Sequence, residues 1–111
     1  MRHGAAINQQ SSDGGTALMY AASHGHERVI ELLLRYGAAI DLQRSDGFTA
    51  LMDAAQEGRE RLVDLLLQRG AEVNLQNSDG DTALMGTALH GHERVVDLLM
   101  QHGAEINQQN S

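Results

Sequence analysis

The chain has 111 residues and a formal net charge of −7, and it contains neither cysteine nor lysine. The missing cysteines exclude disulfides and thiolate zinc sites. The acidic balance argues against nucleic-acid binding, which needs clustered basic side chains. No apolar run has transmembrane length and no signal-peptide pattern opens the chain. These features predict a soluble protein of a reducing compartment, cytoplasmic or nuclear, with no membrane partner.

The sequence repeats itself every 33 residues. Asp-Gly, Thr-Ala-Leu-Met and Gly-Ala each recur three times at the same places in the repeat. Full units are predicted at residues 13–45, 46–78 and 79–111, and residues 1–12 align with the end of the last unit. Repeats of this length bury their apolar surface on neighbouring units. We therefore expect one continuous domain that opens in the tail of a preceding repeat.

Each unit carries the start and stop signals of two short helices. In the first unit, Thr16 is a candidate N-cap, because its hydroxyl can accept from the free N–H groups of a first turn. A helix is predicted from residue 17 to about residue 24, and Gly25 ends it by allowing a left-handed turn. A second helix is predicted from near Glu27 to the stop at Gly37. Similar signals recur in the other two units.

The second helix of each unit is apolar over a wide arc, which favours packing both on its own partner and on adjacent units. Between units, a stretch such as residues 73–80 places polar turn-formers and Asp-Gly after a β-branched residue. That pattern predicts a projecting, hairpin-like loop. The predicted fold is thus an all-α solenoid of helix-turn-helix units with such loops between them.

Three strings carry a family resemblance: Asp-Gly-x-Thr-Ala-Leu-Met-x-Ala-Ala, Gly-His-Glu-Arg-Val-Ile-x-Leu-Leu-Leu, and Gly-Ala-x-Ile-Asp. With these motifs the chain resembles the ankyrin repeat family over essentially its whole length. It departs from the family in having Thr-Ala-Leu-Met where Thr-Pro-Leu-His is common, and Gly86-Thr87 should weaken the first helix of the third unit. The resemblance implies a non-catalytic protein–protein interaction module with no cofactor.

The resemblance also implies that a protein partner contacts the loop tips and the concave face of the first helices. Carried over by position, the loop-tip candidates are Gln43, Arg44, Ser45, Asp46, Phe48, Gln76, Asn77, Ser78, Asp79 and Asp81. The first-helix candidates are Tyr20, Ser23, His24, Asp53, Gln56, Glu57, Leu89 and His90.

Comparison of the units supports the same surface. Packing and turns explain the columns that are identical in all units, and two varying columns hold Phe48 and Tyr20. Tyr20, Asp53 and Gly86 occupy one of these columns, and exposed aromatic side chains are favoured as binding anchors. Ordinary surface variation is the alternative explanation for any single residue.

Two other groups of residues suggest chemical sites. His24-Gly25-His26 and its counterpart at residues 90–92 resemble a metal site, but no Asp, Glu or Cys completes a tetrahedral set. Asp79 and Asp81 are better explained as solvated loop residues than as catalytic carboxylates. No phosphate loop or nucleophile motif is present, so neither an enzyme nor a metal site is predicted.

Asparagines 74 and 107 end Gly-Ala-Glu-Val-Asn and Gly-Ala-Glu-Ile-Asn. The family resemblance implies that Asn74 and Asn107 are candidates for hydroxylation by a 2-oxoglutarate-dependent asparaginyl hydroxylase. A purely structural role, in which a turn asparagine bonds nearby backbone, is the alternative.

The last second helix carries Val95, Val96, Leu98, Leu99 and Met100 without a polar capping repeat. Since uncapped solenoid ends mimic internal interfaces, we expect an exposed apolar end. This suggests an alternative function: a structural or consensus-like scaffold fragment with no dedicated partner, which self-associates end to end.

Overall fold

The computed structural model describes residues 6–105, which form three successive helix pairs and contain no strand. The helices are α1 (Ala17–His24), α2 (Glu27–Arg35), α3 (Ala50–Gln56), α4 (Glu60–Gln68), α5 (Ala83–His90) and α6 (Glu93–Gln101). Between residues 6 and 105, none of these short helices could cross a membrane. The all-α array predicted from the repeats is confirmed, and the helix bounds match the capping signals closely.

The predicted caps form in the first two units only. Thr16 Oγ1 accepts from the Met19 N–H at 3.4 Å, and Thr49 Oγ1 accepts from the Met52 N–H at 3.2 Å. Each bond satisfies one of the free donors of a helix N-terminus. Thr82 makes no such bond, and its buried hydroxyl has no hydrogen-bond partner. The third unit therefore begins its first helix with a weaker cap than the other two.

The units stack through both layers of helices. Consecutive first helices pack side by side, α1 on α3 and α3 on α5, and α4 packs on α6. Ala22 and Ala54, both fully buried, leave the first helices room to approach closely. The largest buried side chains include Ile30, Leu66 and Leu99 of the second helices, which form one continuous apolar core with the alanines. The array is thus joined by interfaces between units, as the repeat pattern predicts.

A side chain at the start of each following second helix bonds the preceding unit. Arg59 Nη2 donates to the Ser23 carbonyl at 3.1 Å, and His92 Nε2 lies 3.1 Å from the Gln56 carbonyl. The His92 ring can lie this close to the preceding unit only because residue 58 is a glycine. A Cβ on Gly58 would lie 2.7 Å from the ring. His92, the second histidine of the string at residues 90–92, therefore links one unit to the next.

The loops between units form a ladder of hydrogen bonds. The backbone N–H of Ser45 donates to the Asp13 carbonyl at 2.8 Å, and that of Ser78 donates to the Asp46 carbonyl at 2.9 Å. The side-chain amide of Gln43 donates both within its own loop and to the Gln76 carbonyl of the next loop, each at 2.9 Å. Several predicted loop-tip residues therefore hold neighbouring loops together.

The expected exposed apolar end is wrong for two residues of α6. Val95 and Leu99 are fully buried, since α6 packs on both α4 and α5, while Met100 is 37% exposed. A clearer apolar stripe lies on α2, where Val29, Leu32 and Tyr36 are 45%, 39% and 51% exposed. Their spacing of three and four residues places them on one helix face.

Candidate partner-binding face

Tyr20, Asp53 and Gly86 occupy one varying column of the repeat, where the first helices meet the loops. The three residues make different contacts. In the first unit the Tyr20 hydroxyl lies 2.8 Å from the Ser11 hydroxyl and 3.4 Å from Asp13 Oδ1. Its side chain remains about half exposed. The Ser11 hydroxyl and the Gly15 N–H, which both donate to Asp13, lower the pKa of that carboxyl. Tyr20 is therefore fixed at its polar end while leaving apolar surface accessible.

In the second unit the same column holds Asp53, which pairs with Arg44 of the loop. The two guanidinium nitrogens lie 2.6 and 3.0 Å from the two carboxylate oxygens, in a bidentate pair. Arg44 Nε also lies 3.2 Å from Asp46 Oδ1, and the guanidinium carbon stands 4.9 Å from the centroid of the Phe48 ring. Arg44 is thus held by two carboxylates and an aromatic ring.

The Asp53 carboxylate is largely buried, and this burial raises its pKa although Arg44 beside it favours the charged form. Hydrogen bonding to Asp53 raises the pKa of Arg44 above its usual value. A guanidinium keeps its charge at any relevant pH. Arg44 and Asp53 were both predicted to contact a partner, and within the chain they bind each other.

In the third unit the column holds Gly86, which lines a groove of about 200 Å³. A Cβ added to Gly86 would meet nothing within 4 Å. The groove is lined by Phe48, Met52, Gln56, Asn77, Asp79, Asp81, Thr82, Ala83, Gly86, Leu89 and His90. At its side Leu89 is 82% exposed, an unusual state for a large apolar side chain on a packed helix. The structure brings several predicted residues together here.

The remaining candidates are placed as follows. Ser23 and Gln56 offer their backbone carbonyls to the next unit, and Glu57 is exposed at the end of α3. The Nδ1 atoms of His24 and His90 each lie 2.9 Å from a carbonyl one turn earlier in their own helix. These histidines are thus oriented by their helices.

The paired histidines stack instead of converging on a common point. The ring centroids of His24 and His26 are 6.2 Å apart and nearly parallel, and those of His90 and His92 repeat this geometry. Over residues 6–105, no three His, Cys, Asp or Glu side chains are grouped so that they could hold a metal ion.

Asn74 uses both ends of its side-chain amide. Its Oδ1 accepts from the Glu105 N–H at 3.0 Å, and its Nδ2 donates to the Gly103 carbonyl at 3.2 Å. Asn74 therefore links the second unit to the third. Asn107 lies outside the described residues. Hydroxylation of either asparagine stays a prediction.

The groove also contains residues that the sequence did not single out. Met52, Thr82 and Ala83 occupy columns that are identical in the three units, and their identity was attributed to packing. All three are buried, so variation between the units, the signal that marks the other candidates, does not mark them.

The stacked helix pairs and bridged loops define a helical repeat solenoid. The comparison with known families is consistent with this class: a family model for ankyrin repeats in three copies matches residues 1–77, and a model for a single ankyrin repeat matches residues 79–111. The chain therefore belongs to the ankyrin repeat family. Ankyrin repeats are generally protein–protein interaction modules and are typically non-catalytic. No curated protein matches the chain.

Proposed function

We propose that this chain binds a protein partner through the loops and the loop-facing sides of α1, α3 and α5. The carrying observation is that exposed apolar side chains lie in columns that vary between otherwise similar units. Tyr20 and Leu89 are the two main examples, with Phe48 between them against the core. Packing does not require an exposed Tyr or Leu at these positions, and such side chains act as anchors in interfaces.

The test is partner capture on the immobilised chain, compared with the double variant Tyr20→Ala/Leu89→Ala. Both side chains are exposed, so the variant should keep its helical circular dichroism spectrum. A matched control is Val29→Ala/Leu32→Ala, which removes exposed apolar surface from α2 instead. We expect a protein that is retained by the wild type and the control and lost by the Tyr20/Leu89 variant. Equal retention by all three would refute this binding face.

The apolar stripe on α2 supports a second candidate, self-association of the chain. Val29, Leu32 and Tyr36 form one contiguous face, and exposed apolar patches favour association. Sedimentation velocity over a range of concentrations should then show association that Leu32→Glu reduces. Leu89→Glu, on a different surface, should leave it unchanged. A wild-type chain that stays monomeric throughout would eliminate this candidate.

A further inference from the structure

A groove lies beside Gly86, and the equivalent place between the first and second units holds a space of about 300 Å³ lined by residues that include Tyr20, Arg44 and Asp53. Tyr20 reaches its loop through the Asp13 carboxylate, and Asp53 reaches its loop through Arg44. Gly86 adds no side chain to the groove. The space of about 200 Å³ is several times the share of one water molecule in the liquid, about 30 Å³. It is large enough to hold a long side chain.

The groove is lined by both apolar and acidic residues. Phe48, Met52 and Leu89 supply the apolar surface, and the carboxylates come from Asp79 and Asp81. Within residues 6–105, no Arg or Lys lines the groove. In a chain with a net charge of −7, this arrangement attracts a cation with an apolar stem.

The second unit shows which side chain fits such surroundings. There a guanidinium lies over the Phe48 ring and bonds two carboxylates, Asp46 and Asp53. Arginine suits this role better than lysine, because its planar fork pairs with carboxylates and stacks on aromatic rings. Beside Gly86, Asp79, Asp81 and Phe48 line the groove, and Asn77 occupies the column that holds Arg44 one unit earlier.

We propose that this groove receives an arginine side chain of the protein partner, with an adjacent aliphatic residue packing on Leu89. The inference rests on the proposed protein-binding function and names the chemistry of the partner segment. Asp79 and Asp81 pair with the guanidinium, while Met52 and Phe48 contact its methylene stem. Leu89, which is 82% exposed, becomes buried against the adjacent aliphatic residue of the partner.

The test is an NMR titration of the isotope-labelled chain with acetyl-Leu-Arg-Leu-amide. Its counterpart contains citrulline, which keeps the shape of arginine without the charge. We expect saturable shifts of the Gly86, Asp81 and Leu89 amides, with binding about tenfold weaker for the citrulline peptide. Added salt should weaken binding of the arginine peptide, because a partly exposed ion pair is screened.

Two variants locate the binding. Gly86→Tyr fills the groove with the side chain found in the same column of the first unit, and it should abolish the shifts. Gln101→Tyr adds the same side chain on exposed α6 and should leave them intact. Asp79→Asn/Asp81→Asn removes the charges without adding bulk, and it should erase the difference between the arginine and citrulline peptides.

Three outcomes would overturn the inference: no shifts with the arginine peptide, equal binding of the citrulline peptide, or shifts that persist in Gly86→Tyr. Equal binding of acetyl-Leu-Tyr-Leu-amide would overturn the assignment to arginine as well. If the chain captures a partner that depends on Tyr20 and Leu89 but does not bind the arginine peptide, this inference fails and the proposed function stands. The two failures are therefore distinguishable.

Discussion

At the scale of single residues, the pair formed by Arg44 and Asp53 is the most informative. The side chains are 22% and 10% exposed, so the carboxylate depends on the guanidinium for compensation. Replacing Arg44 by methionine would keep much of the apolar contact with Phe48 but leave Asp53 buried without its cation. We expect a loss of about 1–3 kcal/mol in the free energy of unfolding at neutral pH.

The loss should shrink as the pH falls. Burial raises the pKa of Asp53 in the folded chain and Arg44 lowers it, so the folded variant without Arg44 holds this proton more tightly than the folded wild type does. Acid therefore favours the folded state through this group, from the raised folded pKa down to the unfolded value of about 3.9. Urea unfolding followed by circular dichroism, from pH 7 down to about 4, measures the change.

The control for this prediction is Arg44→Met/Asp53→Asn, which removes both charges. Its deficit relative to the wild type should vary less with pH than that of Arg44→Met. A deficit of Arg44→Met that is constant over the range would show that the charge of Asp53 does not determine the loss.

The sequence predicted the location of these residues better than their contacts. Arg44 was expected in a loop, and Tyr20 and Asp53 on first helices, and the structure has them there. That a partner contacts them stays a prediction. Their pairing could not be predicted, since Arg44 and Asp53 lie on different elements, nine residues apart. Whether two such side chains meet depends on how the loop folds over the helix.

At the scale of helices and loops, two glycines with opposite roles can be compared directly. Gly86 lies inside α5 with a helical backbone, and an added Cβ would meet open space. Gly58 has φ +70°, and its Cβ would approach the His92 ring to 2.7 Å. Alanine is favoured in the first environment and strained in the second.

We therefore expect Gly86→Ala to raise the free energy of unfolding by about 0.5–1 kcal/mol and Gly58→Ala to lower it by at least as much. Thermal and urea unfolding of the two variants beside the wild type test this. The sign difference between them is the diagnostic result. Destabilisation by both would mean that α5 needs Gly86 for a reason that its open surroundings do not reveal.

Helix bounds were predictable because their signals are local. Thr16 and Thr49 cap within three residues, and Gly25 closes α1 with a left-handed φ of 77°. The contacts between units were not predictable in this way. Those made by Gln43 and Arg59 join residues 33 and 36 positions apart, and they appear only once the units stack. The missing cap hydrogen bond at Thr82 was not predictable either, because Thr82 is followed by the same Ala-Leu-Met as the two threonines that do cap.

At the scale of the whole molecule, the stability of a solenoid is approximately a sum over units and the interfaces between them. The middle unit has a neighbour on each side among the described residues, and every residue of α3 except Gln56 is buried. In α5 only Ala83 and Thr87 are buried. The exposed stripe on α2 shows that the first unit is also less covered than the second.

These differences predict an order of local opening. Amides of α3 and α4 should exchange with solvent most slowly, near the rate set by global unfolding, and those of α5 fastest. The amides of α1 should be intermediate, because Thr16 caps that helix while Thr82 does not cap α5, which also contains Gly86. Native-state hydrogen exchange measured by NMR gives the order directly. Gly86→Ala should slow exchange in α5 and leave α1 nearly unchanged. Equal protection of α1 and α5 in the wild type would contradict the argument, because the cap and the glycine would then have no measurable effect on how the array opens.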